Sequence, residues 1–189
     1  LGADGQQAGH GGGTPRAVAG CVDALRAWTG MRNVTLLYDS DVDEFTADGL
    51  FARVAARENV AVATVTADGD VFGIFHAVPV TQDEHTYVDG GIFVFSFESH
   101  GRCMTPQRFV VRRGMGGDAY LQYWRNNPDE WFVQVGVRAE GYVVIGSEAS
   151  RTLAIELGLA FEGLPSAALT GHETDYHVSV RVIAVAMSP

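Results

Sequence analysis

The sequence predicts an α+β protein that is mainly β, built as a two-sheet antiparallel β-sandwich with flanking helices. Three observations favour this fold class. The chain has many short β-rich runs separated by turn signals, its helical periodicity is confined mostly to the first third, and an Asp-Gly turn joins two strand-like runs within residues 60–78. An alternating βαβ plan would need helices between successive strands, whereas here the helical segments are grouped near the start.

The first thirty residues predict a flexible segment followed by a helix. Residues 1–13 are glycine-rich, polar and without periodicity, which is typical of a tail or linker. A Thr-Pro pair at 14–15 forms a helix start, Gly30 forms a stop, and apolar residues between them recur at spacings of three and four. The length of the chain is that of a single domain. We therefore expect one domain over 14–189, with an N-terminal helix over 14–30 and a sandwich core over 33–187.

A second helix and a hairpin follow a short predicted strand at 34–38. Thr46 is positioned as the cap of the helix, whose buried face would contain Leu50, Phe51 and Val54. The runs 60–66 and 71–78 are predicted to be the two strands of the hairpin, because the Asp-Gly pair between them is the strongest short-range hairpin signal.

The rest of the chain predicts further short strands. A region at 148–172 is ambiguous, because its pattern fits a short strand, a helical turn, or both. The predicted strands are 92–98, 108–112, 131–137, 142–145 and 176–186.

Composition makes nucleic acid an improbable partner class. The formal net charge is −10, and all 13 basic residues are arginine. A chain this acidic is repelled by phosphate backbones unless it carries a strongly local basic patch. The densest basic cluster is Arg102, Arg108, Arg112 and Arg113, which we interpret as a solvated strand face.

Other features predict a cytoplasmic protein without direct membrane insertion. No run approaches the roughly 18 consecutive apolar residues of a membrane span, and the start lacks the pattern of a secretory signal. The two cysteines, Cys21 and Cys103, are far apart, whereas a disulfide framework or a zinc site needs more thiols at closer spacing. This cysteine usage fits a reducing compartment.

Two metal sites are considered and disfavoured. The loop from Asp39 to Asp43 has acidic residues at its first, third and fifth positions, as a calcium loop does. Its sixth position is Glu44 instead of glycine, and its twelfth is Leu50 instead of a bidentate glutamate. The six histidines lack helical zinc-site spacing; His172 and His177 are the pair most able to approach one another, without an evident third ligand.

Motifs of nucleophilic catalysis and phosphate binding are also missing. The chain has no Gly-x-Ser-x-Gly elbow, and the glycine-rich run 114–117 lacks the Lys-Ser/Thr of a phosphate loop, so we interpret it as a turn. We expect no cofactor and no catalytic residue.

The segment 93–100 supplies the candidate functional surface. Phe93, Phe95 and Phe97 share one strand face by alternation and are predicted to be core, with Val94, Ser96 and Glu98 on the other face. The candidate polar cleft is lined by Glu98, His100 and Arg102. A redox alternative uses Cys103, three residues from His100, and requires an exposed thiol with a lowered pKa.

An ordered series of segments resembles the TLDc domain family, which is found in oxidation-resistance proteins. The segments 36–46 and 62–75 are similar to the family's helix entry and to its hairpin with a Phe-Gly-x-Phe strand. The segments 93–97, 142–146 and 182–185 resemble three later strands. Two departures mark a divergent branch: Glu44 stands where glycine is usual, and 184–186 is Ala-Val-Ala where the family has Glu-Val-Trp.

The resemblance implies a TLDc-type sandwich and a non-enzymatic protein-interaction domain. Family members are associated with protection against oxidative stress, and several bind the vacuolar-type proton ATPase. The expected partner is therefore a protein, with this ATPase as the one that the resemblance names. The alternative is a redox-active or enzymatic domain that uses an exposed cysteine.

Overall fold

The computed structural model confirms a mainly β fold with two antiparallel sheets and a few helices. It describes residues 15–81, 86–87, 91–125, 131–138, 140–146, 151–155, 157–165, 167–171 and 176–189, so the predicted tail 1–13 lies outside the described residues. The helices are α1 (Pro15–Thr29), α2 (Ala47–Val54) and α3 (Leu157–Ala160), with a 3-10 turn at Gly116–Asp118. The strands are β1 (Asn33–Asp39), β2 (Val60–Thr66), β3 (Val71–His76), β4 (Thr86–Tyr87), β5 (Ile92–Glu98), β6 (Gln107–Val110), β7 (Ala119–Tyr123), β8 (Trp131–Val137), β9 (Gly141–Gly146), β10 (Arg151–Ile155) and β11 (Tyr176–Ser188).

The two sheets share the long last strand. Sheet A has the order β1-β11-β2-β3-β5-β6, and sheet B has the order β4-β7-β8-β9-β10-β11. The start of β11 pairs with β10, and from Ser179 onward it pairs with β2. The register shifts between Ser179 and Arg181, and such a bulge bends a strand, which lets β11 pass from one sheet to the other.

The main core lies between the sheets and is closed by α2. It includes Phe72 and Val94 from sheet A, Phe132 and Ile145 from sheet B, and Leu50 from α2, all completely buried. Burial of this apolar area from both sheets is the dominant force that holds the sandwich together.

A second, smaller core lies on the outer face of sheet A beneath α1. Leu25 is buried there, and the ring of Trp28 stacks on Phe97 with centroids 5.8 Å apart and contacts Phe93 edge-on at 6.0 Å. Phe95 is completely buried in the same cluster. The prediction that the three phenylalanines of β5 form one core face is therefore confirmed.

The opposite face of β5, which carries Val94, Ser96 and Glu98, is buried along most of its length. Val94 and Ser96 are 0% and 1% exposed, because this face points into the main core. With α1 on one side and the sandwich interior on the other, β5 is a strand buried on both faces until Glu98.

The predicted stop of α1 at Gly30, the cap of α2 at Thr46 and the hairpin are confirmed, whereas Thr14, the predicted start of the first helix, lies outside the described residues. Gly30 ends α1 with φ +73° and its amide donates to Arg26 O over 2.9 Å. The Thr46 hydroxyl accepts from the amide of Gly49 over 3.1 Å and caps α2. β2 and β3 pair in antiparallel register from Val60–His76 to Val65–Val71.

Some strands differ from prediction. The sixth strand is Gln107–Val110 rather than 108–112, and β4 was not predicted. The ambiguous region contains both a strand, β10, and a helical turn, α3, which is one of the alternatives that its pattern allowed. β7 was not predicted: all five of its residues are buried, so it lacks the alternating pattern of a half-exposed strand.

Candidate functional site

A buried carboxylate organises the end of the sandwich where β2 meets β3. Asp70 is 1% exposed, and its Oδ1 accepts from Arg102 Nη2 over 2.5 Å and from His100 Nδ1 over 2.9 Å. The contact with a carboxylate assigns the hydrogen of the His100 ring to Nδ1. We call these three residues the Asp70 clamp.

Local turn chemistry directs Asp70 into this position. Gly69 has φ +88°, a conformation that glycine adopts at little cost, and its amide donates to Thr66 O over 2.9 Å. The amide of Asp70 donates to Thr66 Oγ1 over 3.1 Å, and the amide of Thr66 donates to Asp70 O over 2.9 Å. The turn is closed on both sides of Asp70, so its side chain has a fixed direction.

The loop 99–106 brings the other two members of the clamp. His100 and Gly101 are consecutive left-handed residues with φ +50° and +84°. For a residue with a Cβ this conformation costs roughly 1–2 kcal/mol. Glu98 offsets the cost, because its Oε1 accepts from the amides of Ser99 and His100 over 2.9 and 2.8 Å. The Ser99 hydroxyl in turn accepts from the amide of Cys103 over 2.7 Å.

Arg102 extends the clamp to a third segment of the chain. Its Nε donates to Ala168 O over 3.3 Å and its Nη2 donates to Leu169 O over 3.1 Å. One guanidinium therefore joins the turn 67–70, the loop 99–106 and the turn 167–171. We call these three segments the end-loop surface. Within this surface Met104 is 87% exposed, and the amide of its neighbour Cys103 is held by the Ser99 hydroxyl.

The structure brings Glu98, His100 and Arg102 together, but in different roles from the polar cleft that the sequence suggested. Glu98 caps a turn, and Arg102 points inward to a buried carboxylate instead of lining an open surface. Asp70 was not identified as a site residue from the sequence, because the Asp-Gly-Asp segment that contains it is fully explained as a hairpin turn. The only available signal was the second Asp of Asp-Gly-Asp, whose partner lies thirty residues away.

The redox candidate Cys103 is half-buried and has a free thiol. Its side chain packs against the main core, while His100 Nδ1 contacts Asp70. Cys21 is also free and half-buried on α1, and burial raises the pKa of its thiol.

The acidic loop after β1 is held by arginines. Arg181 forms a two-pronged pair with Asp39, over 3.0 Å from Nε and 2.6 Å from Nη2, and this pair lowers the pKa of the Asp39 carboxyl. Arg53 contacts Asp43 over 2.6 Å, and Arg181 also reaches Asp41 over 3.0 Å. Within the described residues no group of three His, Cys, Asp or Glu side chains is arranged to hold a metal ion. His172, of the histidine pair considered above, lies outside them.

A second buried titratable pair lies deeper in the core. His76 is completely buried, its Nδ1 contacts Val78 O over 2.7 Å and its Nε2 contacts the Tyr123 hydroxyl over 2.9 Å. Burial lowers the pKa of His76 to about 4 and raises the pKa of Tyr123 far above its ordinary value. The imidazole is therefore neutral, donating from Nδ1 and accepting from the tyrosine.

Comparison with known proteins agrees with the resemblance drawn from the motifs. A protein-family model described as TLDc domain matches residues 21–158, from within α1 to within α3. No curated protein matches the chain. Among the helices of the described residues, none is long and apolar enough to cross a membrane.

Proposed function

Because the chain belongs to the TLDc domain family, we propose that it is a non-enzymatic, cytoplasmic protein-interaction domain whose end-loop surface contacts the partner. The observation that carries this proposal is the Asp70 clamp, which fixes three separate chain segments into one surface. Loops that are already ordered lose little conformational entropy on binding, so this surface is suited to recognition.

Met104 is the proposed apolar anchor of the interface. An 87% exposed methionine next to a hydrogen-bonded residue, Cys103, offers most of its side chain to a partner. Methionine adapts its shape to irregular pockets, which makes it frequent at binding surfaces. The polar groups around it are engaged with one another, which supports a scaffold role for Asp70 and Arg102 over a role in chemistry.

The proposed partner is the vacuolar-type proton ATPase, and the proposed context is resistance to oxidative stress. Both come from the family resemblance. A scaffold that docks on such an assembly needs no turnover of its own, which agrees with a surface built from ion pairs and main-chain hydrogen bonds.

The test is binding of the purified domain to purified vacuolar-type proton ATPase, measured by biolayer interferometry. Met104→Glu is expected to reduce affinity at least about tenfold, because a buried unpaired charge in an interface costs more than one factor of ten. Leu36→Glu is the matched control: Leu36 is 60% exposed on β1, outside the end-loop surface. Both variants should keep the wild-type melting temperature.

Three results would count against the proposal. Absence of binding by the wild-type domain would remove the ATPase as partner. Equal binding by both variants would remove the end-loop surface as the interface. Peroxide consumption that is lost in Cys103→Ser would replace the scaffold function with the redox alternative.

A further inference from the structure

An open cleft lies at the opposite end of the β5–β6 pair from the end-loop surface. It has a volume of about 470 Å³, within the range of roughly 300–1,000 Å³ that is usual for small-ligand sites. Because β5 is seven residues long, the cleft is about 20 Å from the Asp70 clamp. Its walls are Gly91 and Ile92 at the start of β5, Val110 at the end of β6, residues 111–113, and Gly114, Gly116 and Gly117.

The cleft carries two arginines in a chain of net charge −10. Arg112 is fixed in place: its Nε donates to Leu159 O over 3.1 Å and its Nη2 donates to Gly158 O over 2.5 Å. Since a guanidinium has five N–H donors, further donors of Arg112 remain for a ligand. Its amide also donates to Ala160 O over 2.9 Å, so this wall of the cleft is rigid.

Arg113 is one of the arginines that no described carboxylate neutralises. Its side chain is exposed, and it has no ion pair or side-chain hydrogen bond with any residue that the structure describes. Five other arginines each pair with an aspartate: Arg26, Arg53, Arg102, Arg125 and Arg181. Although aspartates and glutamates greatly outnumber arginines in this chain, the guanidinium of Arg113 has no carboxylate of the described chain beside it.

The remaining walls are apolar or without side chains. Ile92 and Val111 are buried and half-buried, and Val110 is 41% exposed. At Gly114 and Gly117 an added Cβ would meet nothing within 4 Å, so the space above this backbone is open. The cleft thus combines two guanidinium groups with apolar side chains and an accessible glycine backbone.

We propose that this cleft binds a carboxylate attached to a small apolar group, as at the C terminus of a peptide that ends in an apolar residue. The Arg113 guanidinium receives the carboxylate through two parallel N–H···O contacts, the geometry in which arginine exceeds lysine. Val110, whose side chain is exposed, contacts the terminal apolar side chain. The acidic chain repels extended polyanions, so recognition of a single carboxylate at short range suits this site better than recognition of a polyphosphate or a nucleic acid.

The experiment is a titration of the ¹⁵N-labelled chain, followed by the NMR amide signals of Gly114, Gly116 and Gly117. The probes are acetylated tripeptides ending in Leu, Val or Phe, each with a free carboxylate and as the matched C-terminal amide, and inorganic phosphate. We expect saturable shifts at these glycines with at least one free acid, and at least about tenfold weaker binding of its amide.

Two variants of Arg113 and one control variant test the role of its guanidinium. Arg113→Gln should lower the affinity for the free-acid peptide at least about tenfold. The affinity of Arg113→Lys should lie between those of Arg113→Gln and the wild type, because lysine keeps the charge but lacks the two parallel N–H donors. Arg32→Gln is the control, an exposed arginine next to β1 at the other edge of sheet A, and it should bind as the wild type does. The dispersion of the NMR spectrum shows in each case that the variant is folded.

The proposal is overturned by absence of binding of every free acid, by equal binding of acids and amides, or by an Arg113→Gln variant that binds normally. Phosphate binding without peptide binding also overturns it, since the site would then select an inorganic oxyanion. None of these outcomes bears on the ATPase experiment, which probes a different surface.

Discussion

Replacement of Arg102 by methionine tests whether Asp70 is a buried charge that depends on one partner. The variant keeps the long apolar stem and removes the guanidinium that lies 2.5 Å from Asp70 Oδ1. Breaking a buried ion pair from one side costs about 3–5 kcal/mol, because the remaining charge is left desolvated. The Arg102 side chain is 27% exposed and His100 remains, so we expect the lower end of this range, about 3 kcal/mol.

The assay is urea unfolding at pH 7, followed by circular dichroism, with a melting curve in parallel. A loss of about 3 kcal/mol in a domain of this size corresponds to a decrease of roughly 6–12 °C in melting temperature. Arg57→Met is the control, since Arg57 is exposed and has no ion pair with the described residues, and it should change the unfolding free energy by less than about 0.5 kcal/mol.

A double variant separates the pair from the general effect of losing an arginine. Asp70→Asn removes the charge that Arg102 neutralises. The double variant Asp70→Asn/Arg102→Met should therefore lose less unfolding free energy than the two single variants together, by at least about 1 kcal/mol. If Arg102→Met costs less than 1 kcal/mol, as exposed ion pairs do, the clamp does not hold the end loops and the argument for a fixed surface is wrong.

The remaining predictions concern the core and the acidic loop. Because the pKa of His76 is lowered to about 4 in the folded chain, the unfolded chain binds an extra proton below about pH 6.5, so stability should fall by roughly 3 kcal/mol between pH 6.5 and pH 4. Urea midpoints across this range should show a smaller decrease for His76→Phe combined with Tyr123→Phe; an unchanged pH slope would contradict the assignment. Gly73→Ala should prevent stable folding, because the added Cβ would lie 2.1 Å from a backbone oxygen of β2, whereas Gly117→Ala meets nothing and should fold normally; soluble yield and melting temperature report both. Millimolar calcium should leave the melting temperature within 1 °C of its value in EDTA, because the carboxylates of the loop 39–43 are paired with arginines, and a rise of several degrees would show a calcium site.

Much of the fold could be predicted because its signals are local. The cap at Thr46, the stop at Gly30 and the Asp-Gly turn of the β2–β3 hairpin each depend on residues within a few positions of one another. The alternating phenylalanines of β5 are equally local, since the period of two is a property of the strand itself. β7 was missed for the converse reason: it is buried at every position, and its sequence carries no alternation.

The candidate site could be predicted only in part. Glu98, His100 and Arg102 were identified as a group because they are neighbours in sequence. The role of Arg102 depends on Asp70 and on Ala168, which are 32 and 66 residues away and are joined to it only by the fold. Nothing in the local pattern of the hairpin turn distinguishes an aspartate that faces solvent from one that is 1% exposed.

The sequence by itself determined the fold class, the helix ends, the hairpin and the resemblance to the TLDc family, because each is written in short-range patterns of apolar residues and turn residues. Tertiary structure alone decided that β11 passes from one sheet to the other, that β5 is buried on both faces, and that an aspartate, a histidine and an arginine from two loops form one clamp. It also decided that Arg112 and Arg113 line one cleft, and that neither has a carboxylate partner in the described chain. Such contacts join residues that are far apart in sequence, and they form only when the two sheets pack together. The free energy that favours them comes from burial of the whole core and not from the local conformational preference of any one segment.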